Sequence, residues 1–130
     1  MRQVLTVLGW FGATLPALAQ PAPPPALPVD FPPDAQALAD AALRERFAGR
    51  VYRAQPAAGP GWRLEFKDGG YAFIDLSSGG RDSGRWRVEG TTLCIEWQRF
   101  NSGCSEIRAT GDTLHLKRTS NGEVVVLKPA

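Results

Sequence analysis

Two cysteines and one histidine are the only residues of their kinds in this chain, so chemistry that needs them must be built around them. Cys94 and Cys104 lack the Cys-x-x-Cys spacing of redox-active pairs. If the bend between them is centred near Arg99, antiparallel pairing places the two cysteines directly opposite each other, with Cβ atoms close enough for a disulfide. We therefore predict a structural Cys94–Cys104 disulfide on the polar side of two strands.

His115 is the centre of any histidine-dependent triad or metal site that the sequence offers. It alternates with Leu114 and Leu116, and neighbouring residues of a strand face opposite sides of a sheet. The alternation therefore predicts that His115 lies on the outer surface, where a lone histidine is usually incidental. A hydrolase centred on His115 stays open as an alternative.

Two pairs of carboxylates have spacings that acid–base chemistry could use. Glu96 and Glu106 fall on the same strand face as the cysteines, and Asp75 and Asp82 flank the Ser/Gly loop 77–80. Such chemistry needs a desolvated pair whose pKa values are pushed apart, whereas carboxylates on an exposed sheet face serve solubility. The sequence shows no nucleophile elbow, and no helix follows the Ser/Gly loop to bind a phosphate. We predict no enzyme, no metal and no cofactor.

Aromatic side chains are numerous for a small domain. Four of them, Trp62, Phe66, Trp86 and Trp97, fall on inward-facing positions of predicted strands. They either fill a solid core or line a cavity for a small apolar ligand, since small eight-stranded barrels do both. We take these four residues as candidate ligand-binding residues.

A shallow basic surface is the other binding site that the sequence offers. Arg85 and Arg87 share one strand face, and Arg63 and Arg81 are expected near them. Such a surface would suit a carboxylate, a polysaccharide or a protein partner. Alternating charge is equally common on a solvated strand face, so the pattern leaves both interpretations open.

Hydrophobic periodicity predicts the elements that position these residues. From Arg50 onward, apolar residues recur at every second position, which is typical of half-buried strands. Turn signals at 68–70, 89–90, 111–112 and 121–122 predict tight hairpins and antiparallel pairing. The predicted strands span residues 50–54, 61–67, 71–76, 83–89, 92–97, 103–109, 113–118 and 123–128. This mainly β meander of about eight strands is expected to close into a small barrel or strongly curled sheet.

Residues 34–48 form the only predicted helix. They are rich in strong helix formers, and Leu43 and Phe47 share one face. Asp34 or Asp40 could cap the start, and Gly49 stands where a left-handed residue ends a helix. We expect this helix to plug one end of the sheet or to lie across its mouth.

The chain divides into three predicted segments. Residues 1–19 carry Arg2, an apolar run and a small-x-small cleavage pattern, which is typical of a signal peptide. The run is shorter than the about 20 apolar residues that span a bilayer, so no stable membrane insertion is expected after cleavage. Residues 20–33 are rich in proline and favour an extended linker, and residues 34–130 form a single domain. We predict a periplasmic or secreted protein.

The exported chain would carry almost no net charge. Removal of residues 1–19 takes away Arg2 and leaves 14 basic residues against 13 acidic ones. Nucleic-acid binding relies on a basic excess that neutralises phosphates. We therefore predict no nucleic-acid partner.

Residues 84–90 with Leu93, Cys94, Trp97 and Cys104 form a pattern that resembles a family of small exported bacterial domains of unknown function. The stretches 43–50 and 66–69 are similar to the same family. The resemblance covers most of residues 38–118 and implies a lipocalin-like antiparallel sheet in a periplasmic or secreted protein. It implies no catalytic residues, because the family has no established activity.

These observations favour a non-enzymatic exported binding module, which takes a small apolar ligand into the barrel or binds a macromolecule on its surface. The alternative is an inhibitor or accessory protein of a cell-envelope enzyme, acting through an exposed loop such as 56–60 or 76–82. An interior cavity lined by aromatic residues would favour the first hypothesis. A solid core with a rigid protruding loop would favour the second.

Overall fold

The structure is a computed structural model that describes residues 26–130 and the isolated positions 3, 9 and 12. The predicted signal peptide, residues 1–19, and the start of the predicted linker lie outside the described residues, apart from those isolated positions. Within the described part the chain forms nine strands and one helix. In order they are β1 (Gln36–Ala37), α1 (Asp40–Phe47), β2 (Arg50–Ala54), β3 (Trp62–Phe66), β4 (Tyr71–Leu76), β5 (Arg81–Glu89), β6 (Thr92–Trp97), β7 (Gly103–Thr110), β8 (Thr113–Lys117) and β9 (Val124–Pro129).

Strands β2 to β9 form a closed antiparallel barrel, which confirms the predicted fold. Each strand pairs with its neighbours in the chain, and β2 returns to pair with β9. The sheet curls because β7 pairs with β6 through residues 103–106 and with β8 through residues 107–110. Strands β2, β4 and β6 have the predicted bounds, and the others differ from prediction by at most two residues at either end. Closure removes the exposed edges that an open sheet would present.

The alternation of side chains sets the inside and outside of the barrel. The sequence of β4 has apolar residues on both sides, so periodicity alone does not determine which side faces inward. Ala72 and Ile74 are buried, whereas Tyr71 and Phe73 are exposed by 49% and 39%. The smaller residues of the strand therefore face inward and belong to the core.

The helix is shorter than predicted and begins at Asp40 instead of residue 34. Gln36 and Ala37 form strand β1, which pairs with β7, so the backbone before the helix is extended. Ala39 is the N-cap and makes no side-chain capping bond, so the predicted caps at Asp34 and Asp40 are wrong. The chain is instead fixed by the Asp40 N–H, which donates to the Gly90 carbonyl over 2.9 Å.

The helix plugs one end of the barrel. Its two buried residues, Leu43 and Phe47, are fully inaccessible to solvent. The Phe47 ring packs edge-on against Tyr52 and Phe66, with centroids 5.7 and 4.9 Å away, and lies 6.3 Å from the Trp86 ring. The Tyr52 hydroxyl donates to the carbonyl of Arg46, which ties the barrel wall to the end of the helix. This end of the barrel is therefore a solid aromatic core.

The cysteines are paired as predicted. Cys94 lies directly opposite Cys104 in the β6–β7 register, and the two sulfur atoms are 2.04 Å apart. Cys94 alternates with the inward-facing Leu93 and Ile95, so the disulfide links the two strands on the outer side of the hairpin. Only 1% of the Cys94 surface is exposed there.

Part of the proline-rich segment lies against the barrel. We call residues 28–37 the N-terminal strap. The carbonyl of Pro28 accepts the N–H of Val124 on β9 over 2.7 Å, and Arg108 on β7 lies 4.5 Å from the Phe31 ring centroid. The strap ends in β1, which continues the sheet beside β7. Since β8 lies between β7 and β9, the strap crosses over β8.

The strap explains why the predicted exposure of His115 is wrong. His115 does face outward from β8, between Arg108 and Val126 on the neighbouring strands, but it is only 5% exposed. Its Nε2 shares a hydrogen bond with Thr110 Oγ1, and its Nδ1 has no hydrogen-bond partner within residues 26–130. A face that the alternation marks as outer is buried here because a distant segment covers it.

Burial of His115 predicts a loss of stability on acidification. Desolvation holds the pKa of His115 below its usual 6.5, outweighing Asp34 of the strap, which raises it. The unfolded chain therefore binds the proton at a higher pH than the folded chain, so the free energy of unfolding falls as the pH decreases below about 6.5. We expect this pH dependence to be weaker in His115→Gln, which keeps a polar partner for Thr110 but does not titrate.

Urea unfolding of both proteins at pH 7.5 and pH 5.5 measures the difference. Carboxylates that do not interact with His115 contribute equally to both proteins, so the difference between them reports on His115 and its interaction with Asp34. Equal changes in wild type and variant would contradict the prediction.

Candidate ligand cavity

The end of the barrel opposite the helix is not filled. A cavity of about 350 Å³ lies between the ends of the strands and the loops that join them. Inward-facing aliphatic side chains form its wall, namely Leu64, Ile74, Leu76, Leu93, Ile95 and Leu116. Three rings, Trp62, Trp97 and Phe100, stand at its rim. The arrangement is a mostly apolar concave site with one open side.

The four candidate ligand-binding residues are divided between the two ends of the barrel. Trp62 and Trp97 are partly buried and line the cavity. Phe66 and Trp86 are buried in the helix-plugged core, with ring centroids 5.7 Å apart, and do not line the cavity. The indole Nε1 of Trp86 donates to the Lys67 carbonyl over 2.9 Å, so its polar atom is satisfied within the barrel.

The rim is held by a carboxylate that the sequence suggested for acid–base chemistry. One oxygen of Asp82 accepts the backbone N–H groups of Arg99 and Phe100 over 2.8 and 2.9 Å, and the other accepts that of Ser83. Partial burial raises the pKa of Asp82, but these N–H donors and the Arg99 charge outweigh it and lower the pKa overall. The bound loop presents Phe100 edge-on to Trp97, at 6.5 Å between centroids.

One charged side chain, Arg118, is found among the residues that line the cavity. Its Nη1 donates to the Ala58 carbonyl over 2.8 Å and lies 3.5 Å from Glu123 Oε1. Its guanidinium carbon is 5.2 Å from the centroid of the Trp62 ring. The Glu123 side chain is 2% exposed and also accepts the N–H groups of Ala57 and Ala58, over 2.7 and 3.3 Å. The pair thereby fixes the loop before β3 at the cavity mouth.

Sequence reasoning did not find this pair. Arg118 and Glu123 flank a predicted turn, and their spacing resembles that of any charged hairpin end. Their common partner is the backbone of residues 57–58, which lies some sixty positions away in the chain. No local pattern carries information about such a contact.

The four arginines of the candidate basic surface lie on the outer side of the barrel. Three of them are neutralised by acidic neighbours: Arg87 by Glu89 and Glu96, Arg81 by Asp75, and Arg63 by Glu65 and Asp75. The fourth, Arg85, packs over the Tyr71 ring at 4.7 Å. This surface therefore presents little uncompensated positive charge.

A larger open groove of about 710 Å³ follows the outside of β2, β3 and β4. Arg53 lies directly opposite both Arg63 and Lys128 in the sheet register, and all three line the groove. Asp75 also lines the groove and, with Glu65, neutralises Arg63, so Arg53 and Lys128 carry the remaining positive charge, which the sequence alone did not reveal. It is a surface groove, whereas the cavity penetrates the barrel.

The remaining carboxylates of the candidate acid–base pairs are engaged separately. Asp75 contacts Arg81 over 2.9 Å, and Glu96 contacts Arg87 over 3.1 Å. Glu106 accepts a hydrogen bond from the Thr91 hydroxyl over 2.8 Å. Each of these three carboxylates is therefore bound to a neighbouring side chain in the sheet.

A single cluster of metal-ligand side chains occurs in the described part of the chain. The ligand atoms of Glu89, Cys94 and Cys104 lie within 4.8 Å of one another. Both sulfurs are bonded to each other, and a metal requires thiolates. With the disulfide formed, the cluster has no thiolate to offer.

These features define a small closed antiparallel barrel that is plugged at one end and open at the other onto an apolar cavity. Barrels of eight strands have an interior just wide enough to be filled or to hold one small ligand. Comparison with known proteins found no matching family model, no similar curated protein and no similar solved structure. Across residues 26–130, none of the helical structure has the length and apolar character needed to cross a bilayer.

Proposed function

We propose that this protein is a non-enzymatic exported binding module that holds a small apolar ligand in the open end of its barrel. The cavity carries the proposal, because its wall is aliphatic and its rim is aromatic. Its volume of about 350 Å³ lies at the lower end of the range of about 300–1,000 Å³ found for ligand pockets. Transfer of an apolar ligand into such a site is favourable by about 25 cal/mol for each Å² of apolar surface removed from water.

Export to the periplasm or outside the cell is part of the same proposal. The chain begins with a segment that is typical of a signal peptide, and its two cysteines are joined. Disulfides persist in oxidising compartments and are rare in the reducing cytosol. Membership in the family of small exported lipocalin-like domains, suggested by residues 84–104, belongs to this proposal as well.

An inhibitor or accessory role is the second candidate, supported by one loop. Residues 77–79 are exposed between β4 and β5, and Ser77 anchors them to Gly61 through its hydroxyl and its own N–H. A rigid exposed loop is what such a role requires. The basic groove around Arg53 offers a neighbouring surface for a macromolecular partner.

Filling the cavity tests the first proposal. Ser105 lies opposite Leu93 in the β6–β7 register and lines the cavity, so Ser105→Phe places a ring where the ligand would lie. We expect wild type to bind 1-decanol saturably, with a change in tryptophan fluorescence from Trp62 and Trp97. The variant is expected to bind at least tenfold more weakly, which corresponds to about 1.4 kcal/mol.

Ser78→Phe is the matched control, because Ser78 is exposed in a loop and does not line the cavity. It adds the same ring to the protein and is expected to leave binding unchanged. Absence of saturable binding in wild type, or equal binding by Ser105→Phe, would overturn the proposal.

A further inference from the structure

We infer that the ligand of the cavity is a medium-chain carboxylate, whose head group is bound by Arg118 and whose hydrocarbon tail points into the barrel. This inference rests on the proposed function and specifies the chemical class of the ligand. It follows from three features of the cavity: the separation of its polar and apolar parts, the donors of Arg118 that no described residue accepts, and the position of Glu123.

The cavity is apolar at its base and polar at its mouth. Its base is formed by strand residues such as Leu64, Ile74 and Leu93, which face the barrel interior. Apart from Ser105 on β7, the polar side chains that line the cavity belong to loops at its opening, namely Asn101, Arg118, Thr119 and Ser120. A ligand that matches this division has a hydrocarbon body and one polar end.

Arg118 has donors that none of the described residues accepts. A guanidinium carries five N–H groups. Those on Nη1 serve Ala58 and Glu123, but Nε and Nη2 have no hydrogen-bond partner within the described residues. Packing over Trp62 holds the plane of the group in place. A planar fork with an unused edge is the arrangement that binds a carboxylate through two parallel hydrogen bonds.

Glu123 does not occupy the place of the ligand. Its carboxylate accepts the Ala57 and Ala58 N–H groups and contacts Arg118 from behind the loop, and it does not line the cavity. None of the described residues that line the cavity is acidic. An incoming carboxylate therefore meets the cation of the pair, whereas a cationic head group would be repelled by Arg118 and would find no acidic residue among the described residues that line the cavity.

The cavity volume sets the size of the ligand. With about 30 Å³ for a water-sized group, about 350 Å³ holds roughly a dozen such groups. A chain of about ten carbons with its head at the open side satisfies this limit. Decanoate is therefore the probe of choice.

Three ligands with the same chain test the head group in the full protein. Decanoate, 1-decanol and methyl decanoate are titrated by calorimetry below the concentrations at which they self-associate. We expect decanoate to bind at least tenfold more tightly than methyl decanoate, with 1-decanol between them. Equal affinities would overturn the inference and leave the proposed function standing, whereas no binding of any of the three would overturn the proposed function itself.

A charge-free double variant tests the role of Arg118. Removal of Arg118 alone would leave Glu123 buried without its cation, which is strongly destabilising, so Arg118→Met is combined with Glu123→Gln. We expect the double variant to bind decanoate and 1-decanol with nearly equal affinity. Arg87→Met, which removes an outer arginine, is the control and is expected to retain the tenfold preference. Retention of the preference in the double variant would overturn the inference.

A measurement on wild type covers the case in which the double variant does not fold. Decanoate labelled with ¹³C at its carboxyl carbon reports its own titration by NMR when bound. Contact with a guanidinium favours the charged form, so we expect the pKa of bound decanoate to be lower than that of decanoate in water. An unchanged or raised pKa would overturn the inference.

Discussion

Replacement of Phe47 by alanine is expected to lower the free energy of unfolding by about 3–5 kcal/mol, the usual cost of a buried Phe→Ala change. Phe47 is completely buried, and its ring is the point at which the helix contacts Tyr52, Phe66 and Trp86. These rings belong to separate strands of a closed barrel, which limits how far they can collapse into the space left behind. Urea unfolding followed by tryptophan fluorescence measures the loss.

Phe73→Ala provides the matched control for the helix plug. Phe73 has the same side chain but lies on the outer face, with 39% of its surface exposed. It is expected to cost less than about 1 kcal/mol, in line with surface substitutions in general. If Phe47→Ala and Phe73→Ala destabilised the protein equally, the helix would not be the plug that the structure indicates.

Gly84→Ala is expected to destabilise the protein by about 3 kcal/mol or to prevent folding, at or above the upper end of the range for overpacked sites. A Cβ atom at Gly84 would lie 2.1 Å from the Glu96 carbonyl oxygen and 3.0 Å from the Trp97 Cα on the paired strand. Both atoms belong to the backbone, so no rotation of a side chain relieves the overlap. Relief requires β5 and β6 to separate where the rim residue Trp97 is held.

Gly69→Ala is the control for the glycine substitution. A Cβ atom at Gly69 would meet nothing within 4 Å, and its φ is not among the positive values that disfavour alanine. We expect its free energy of unfolding to stay within about 0.5 kcal/mol of wild type. Thermal unfolding measures the stability of both variants. If Gly84→Ala were as stable as wild type, β5 and β6 would be able to separate at little cost in free energy.

The strand pattern was predictable because it is local. Alternation of apolar residues and glycine-containing turns depends on neighbours in the chain, and it predicted the bounds of β2, β4 and β6. The position of Cys104 opposite Cys94 followed from the same register. The number of strands and their common apolar face predicted a barrel or a strongly curled sheet, and the structure has the barrel.

The alternation of apolar residues did not predict which end of the barrel is filled and which is open. Trp62 and Phe66 have the same parity on one strand, so the period of two places both inside. The alternation does not predict that the helix fills the end of the barrel near Phe66, whereas the end near Trp62 stays open. That division depends on where a segment outside the sheet packs, and the sequence indicated only that the helix would cover one end.

Contacts between distant segments account for the other differences. His115 has the predicted facing but is covered by the N-terminal strap, whose proline-rich residues gave no strand signal. The helix begins late because Gln36 and Ala37 join β7, although their composition is compatible with a helix. Arg118 enters the cavity mouth through partners in a loop far away in the chain.

The Cys94–Cys104 bond encloses two of the three rim rings, Trp97 and Phe100, in a covalent loop. Loops at the ends of strands normally fray independently, at low free energy, while the core of a domain stays intact. Here the β6–β7 hairpin at the open end of the barrel cannot fray one strand at a time, because the disulfide links its two strands. A ligand of the kind proposed above would therefore be bordered by a hairpin that keeps its shape as long as the disulfide is not reduced.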